Sequence, residues 1–133
     1  MKTQTKYLYS LTNASLTLRV IDRLRDYERA ELISVAVINL IDCWLVEINL
    51  IDSVDVELVK NLQAFLDELG VPYQPTPAIA IALSELERGE SPVKIMNRYK
   101  VVIVANGKPE KTEIEIFREQ IVERLGYCPQ NMT

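Results

Sequence analysis

The chain contains no histidine. That absence removes Ser-His-Asp and Cys-His catalysis and every histidine-based metal centre. Its two cysteines, Cys43 and Cys128, stand far apart without a CxxC spacing, so neither a zinc-type site nor a disulfide framework is indicated. Reduced thiols fit a cytoplasmic location. Glycine is scarce at four residues, and none of them belongs to a P-loop or a GxGxxG pattern, in which glycines let the backbone wrap a phosphate. The first residues lead into only a short apolar stretch, below the length of a signal-peptide core. The most hydrophobic window, residues 32–51, approaches bilayer length but holds Asp42 and Glu47 as well as Asn39 and Asn49. Each carboxylate at bilayer depth costs about 2.5–3.5 kcal/mol, which favours two buried strands over a membrane span.

What remains is the composition of one globular domain over residues 1–133, with 48% hydrophobic and 26% charged residues and enough apolar side chains for a sizeable core. The formal charge of −4 argues against broad, non-specific binding to nucleic acid, because neutralising many phosphates needs a net positive surface.

Tyr7, Tyr9 and Leu11 alternate with Leu8 and Ser10 and predict a first strand. Thr12 and Asn13 then offer capping oxygens to a helix with Leu16, Val20, Leu24 and Tyr27 on one face. Ile33, Val35 and Val37 alternate in a β-branched segment, and Trp44, Val46, Ile48 and Leu50 share a face opposite Glu47 and Asn49. The pair reads as a hairpin whose second strand is covered on one side only. Asp52, Ser53 and Asp55 open a helix whose apolar face, Leu58 to Leu69, stops at Gly70, expected to be a left-handed cap. Thr76 followed by Pro77 starts a helix over 78–88, while 93–98 fits either a helical turn or an extended approach. Val101, Val102, Ile103, Val104 and Ala105 form an uninterrupted apolar run, as a strand covered on both faces requires, and it is expected at the centre of the sheet. A polar turn through Asn106, Gly107, Lys108 and Pro109 leads to a last helix ending at Gly126.

Stretches 44–70 and 100–126 superimpose at an offset of 56 residues, each a strand, a polar turn and a helix. Two generic strand–helix units explain this better than duplication, since side-chain identity between the stretches is low. The order of elements predicts an α/β (α+β) fold: a mixed β-sheet of four to five strands with helices packed on it. The order is ferredoxin-like, with an inserted helix, the 101–105 run as fourth strand, and a C-terminal helix. A flavodoxin-like three-layer sandwich is the alternative, since helices on both faces would explain the apolar run.

Three strand-to-helix turns carry the candidate ligand residues Asn13, then Asp52 and Ser53, then Asn106, Gly107 and Lys108. Ligands in open α/β sheets bind beyond strand ends, and a glycine turn before a helix offers amides and a lysine to an anion or phosphate. The same residue types serve as caps and turns. Residues 88–111 hold six basic side chains against two acidic ones, a local +4 that leaves −8 for the remainder. Within it Lys94, Arg98, Tyr99 and Lys100 form a basic segment with a stacking ring, suited to an acidic partner or, as a lesser alternative, single-stranded nucleic acid. No catalytic residues, metal ligands or cofactor are assigned, so an enzyme is the lesser expectation. The expected function is a non-catalytic accessory or regulatory protein acting through protein–protein contact, as a homodimer or small homo-oligomer with the hairpin edge as its seam. A small-ligand protein or enzyme with a site beyond the strand ends is the alternative.

Overall fold

A computed structural model describes residues 4–25, 32–51 and 56–133. Alternation and capping place the first elements as expected. β1 (Gln4–Leu11) leads into α1 (Ala14–Leu24), whose first turn is closed by the Asn13 side chain accepting from the Leu16 amide at 2.9 Å. β2 (Leu32–Asn39) and β3 (Trp44–Ile51) form a hairpin whose turn is closed by the Leu40 amide donating to the Cys43 carbonyl at 2.8 Å. α2 (Val56–Leu69) is followed directly by β4 (Val71–Pro72). Thr76 caps α3 (Pro77–Glu87) by accepting from the Ile79 amide, with proline in the first turn, and the chain continues through α4 (Pro92–Tyr99), β5 (Val102–Gly107) and α5 (Thr112–Leu125) to a final 3-10 turn, Gln130–Met132.

The sheet order is β4-β1-β3-β2-β5. Its first four members reproduce the ferredoxin-like arrangement of two interleaved strand–helix–strand units. Every pairing is antiparallel, where a mixed sheet was expected. β1 and β2 run in the same direction, but β3 fills the gap that the α1 crossover leaves between them. The fourth strand of this arrangement is β4, two residues long, and the 101–105 run is not central. It contributes β5, an edge strand beside β2. Ile103 packs with one layer of helices while Val104 and Ala105 pack with the other, so the apolar run reports two covered faces without two neighbouring strands.

One face of the sheet carries Tyr9, Leu11, Val35, Val37, Trp44, Val46, Ile48 and Leu50 against α1, α2 and α5. The other carries Ala36, Ile38 and Leu45 against Ile79, Ala82, Leu83 and Leu86 of α3 and Ile95 of α4. The layering is therefore that of a three-layer sandwich, while the strand order is ferredoxin-like. β3 is covered on both sides rather than one, and Glu47 and Asn49 are buried at 5% and 3% exposure. Gly70 also departs from expectation, because its φ is not positive. It is instead a point of close approach, where an added Cβ would collide with the Ser10 carbonyl oxygen and reach 2.7 Å from Leu11 Cδ2. Gly126, with φ of 75°, is the left-handed cap that closes α5.

The two strand–helix units at an offset of 56 coincide in bounds, α2 at Val56–Leu69 and α5 at Thr112–Leu125. Their burial differs: Leu62 and Leu66 are buried in α2, and Ile114 in α5.

Candidate functional site

The strand directions decide which predicted residues meet. β1 ends where β5 begins, so Asn13 lies at one end of the sheet and Asn106, Gly107 and Lys108 at the other. The structure does not bring these two turns together. Asn13 is occupied as the α1 cap, and Gly107 takes a φ of 120° at the end of β5. Asp52 and Ser53 lie outside the described residues.

The basic segment is divided in use. Arg98 Nη1 donates to both carboxylate oxygens of Glu85, at 3.0 and 3.1 Å, and the Tyr99 hydroxyl donates to Glu85 Oε1 at 3.0 Å. The Arg98 guanidinium also lies 5.9 Å from the Tyr99 ring centroid. Arg98 and Tyr99 thus fasten α4 to α3, which leaves the exposed Lys94 and Lys100 as the cations of that segment without an ion pair among the described residues. Lys100 ends α4 with a φ of 59°, a left-handed turn that aims the chain into β5.

The edges of the sheet contrast. β4 is short and carries Pro72, so it offers a partner little to pair with. β5 is six residues long, uncharged, and has β2 on one side with no strand on the other among the described residues. Val102 is exposed on it, and the exposed Lys100 and Lys108 bracket it. The β2–β3 hairpin expected as the seam is interior, because β1 and β5 flank it.

A second feature, which alternation in the sequence hides, is a polar cluster on the sheet face beneath α3. Glu47 and Asn49 project from β3, and the Asn49 amide donates to Glu47 Oε1 at 3.5 Å and to Ser34 Oγ at 3.3 Å. Asn49 Oδ1 is buried without a hydrogen-bond partner among the described residues. Lys6, on β1, pairs with Glu87 of α3 at 2.9 Å. Burial pushes the Glu47 carboxyl above the usual carboxylate range, offset in part by the charge of Lys6. Lys6, Leu8, Glu47, Leu83 and Glu87 line a cavity of about 250 Å³. The signal in the sequence is two polar side chains inside an otherwise apolar 45–51 run, read there as facing water.

A larger open concavity, about 470 Å³, lies at the Asn13 end between Thr12, Ile41, Asp42 and the last turn. That turn is tied down by Trp44 Nε1 donating to the Asn131 carbonyl at 2.7 Å and by the Asn131 amide donating to the Ile41 carbonyl at 2.9 Å. Among the described residues no cluster of three or more His, Cys, Asp or Glu side chains is placed to hold a metal ion. Nor is any helix among them long and apolar enough to cross a membrane.

Fold and site together define a small α+β protein with a ferredoxin-like strand order, a buried polar cluster and, among the described residues, an open sheet edge at β5. No protein-family model matches the chain, and no curated protein or solved structure is significantly similar to it.

Proposed function

We propose that this protein is a non-catalytic accessory or regulatory protein of the cytoplasm that works through protein–protein contact, as a homodimer joined along the outer edge of β5. The observation that supports this reading is the strand itself: six uncharged residues without proline, at the edge of an antiparallel sheet, with no strand on its outer side among the described residues. An antiparallel edge is complementary to itself across a twofold axis, so a second copy extends the sheet by the same pairing that β2 and β5 already use. Lys100 and Lys108 at the two ends restrict pairing to the strand between them.

Sedimentation velocity across a dilution series tests the proposal. The native chain is expected to run as a dimer at about 100 μM and to dissociate on dilution. Val102→Lys, at an exposed edge position, is expected to run as a monomer with an unchanged circular dichroism spectrum. A native chain that stays monomeric throughout, or a variant that dimerises as well as the native chain, overturns it.

A further inference from the structure

The turn Gln130–Met132 is held as a bound peptide is held. The backbone oxygens of Asn131, Met132 and Thr133 each accept from a side chain of a different element: Trp44 Nε1 at the start of β3, at 2.7 Å, Arg118 Nε of α5, and Ser15 Oγ of α1. The Asn131 amide returns a hydrogen bond to the Ile41 carbonyl between β2 and β3. One side chain of this stretch is fully enclosed. Met132 is 3% exposed and joins the core on the Trp44 face of the sheet, while Gln130 and Thr133 are exposed. Main-chain oxygens are common to every peptide, so the grip is blind to sequence except at the Met132 socket. The turn hangs from α5 by a short exposed link, Gly126, Tyr127 and Cys128. Beside it, the concavity of about 470 Å³ is only walled by Gln130 and Asn131, and Ile41, on its lining, is 98% exposed.

We propose that this groove is a peptide-binding site, closed in cis by the chain's own turn, for a flexible segment of a partner protein that carries methionine or another unbranched apolar side chain as its anchor. The turn is the template for that occupant. An anchor in the Met132 socket brings the backbone oxygens around it to Trp44, Arg118 and Ser15, and a segment longer than the turn covers the apolar surface of Ile41. An acidic anchor is rejected, because the socket is apolar. The tethered turn competes at an effective concentration of about 1 mM, so it regulates the site as well as filling it. None of the gripping side chains lies on β5, and the groove is therefore separate from the edge proposed above for self-association.

Trp44 is the chain's single tryptophan, so its indole N–H resonance reports the groove alone. Met132→Ser empties the socket and leaves the donors in place. Titrated with the acetylated and amidated peptide Pro-Gln-Asn-Met-Thr, the isotope-labelled variant is expected to shift this resonance with a Kd below about 1 mM, and the native chain to bind about tenfold more weakly. The same peptide with Asp for Met is expected to bind the variant about tenfold more weakly. Hydrogen exchange of the native chain keeps the test decisive if the variant folds poorly. The Trp44 indole, freed whenever the turn lifts, is expected to exchange about tenfold or more faster than the β3 backbone amides, at a rate insensitive to low urea. An indole that exchanges only with global unfolding, a variant that ignores the peptide, or equal binding of the Met and Asp peptides overturns the proposal. Unlabelled native chain that shifts the variant's indole as strongly as the peptide does assigns the groove to a second copy, and overturns a separate partner.

Discussion

Replacing Gly70 by alanine tests how the end of α2 meets β1. Gly70 lacks a positive φ, so backbone preference alone predicts that alanine stabilises by about 0.4–1 kcal/mol through a less free unfolded chain. The structure predicts the opposite sign. The new Cβ runs into the Ser10 carbonyl oxygen, which belongs to the sheet backbone and cannot swing aside, and it meets Leu11 Cδ2 at 2.7 Å. Overpacking of this kind costs about 1–3 kcal/mol, so a net loss of about 1–2 kcal/mol is expected, or about 3–8 °C in Tm for a domain of this size. The damage is local as well. Ser10 pairs with Val71, and the Tyr73 amide donates to the Leu8 carbonyl at 2.9 Å, so hydrogen exchange at Val71 and Tyr73 quickens first. Gly126 is the comparator, because its φ is 75° and an added Cβ meets nothing within 4 Å. Asparagine tolerates the left-handed region, so Gly126→Asn is nearly neutral in urea denaturation while Gly70→Asn is at least as harmful as Gly70→Ala. A Gly70→Ala variant as stable as the native chain refutes the close approach.

Three further outcomes are expected. The Glu47 pKa is raised in the folded protein, so the fold holds this proton more tightly than the unfolded chain, and stability falls as pH rises from about 4.5 through the folded value. Glu47→Gln therefore gains stability at pH 7 and loses that part of the pH dependence, as thermal melts between pH 4 and 8 will read; an unchanged profile contradicts it. Glu85→Ala loses the Arg98 pair and the Tyr99 hydrogen bond together and costs about 1–2 kcal/mol in urea, whereas Arg98→Ala, at a half-exposed guanidinium, costs under about 1 kcal/mol. Trp44→Phe removes the hydrogen bond that holds Asn131 and leaves space beside Phe117, which costs about 2–3 kcal/mol and speeds exchange of the Met132 amide.

Local signals in the sequence were sufficient for much of the fold. Asn13 and the Thr76–Pro77 pair mark their helices because a capping oxygen works within one turn. Period-two alternation marks β1 and the hairpin because one face of each is apolar. Long-range facts were hidden. The 101–105 run shows that both faces are covered, and that property is independent of whether a strand has one neighbour or two. Glu47 and Asn49 look like solvent-facing alternation until α3, inserted some thirty residues later, is laid over them. Gly70 at a helix end resembles a left-handed cap, and only the position of Ser10, sixty residues earlier, gives its actual role. Of the candidate ligand residues, the sequence grouped Asn13 with Asn106, Gly107 and Lys108 by turn chemistry, and strand direction separates them.

Hydrogen exchange along β5, followed as protein concentration is raised, tests most directly whether this edge is where the protein makes contact. Pairing along the edge predicts that the outward amides of Val102–Gly107 exchange rapidly in dilute solution and become protected with concentration, in step with the sedimenting mass, while the Thr12, Asn13 and Asn131 end is unchanged. Self-association that leaves the β5 amides as exposed as before would contradict it.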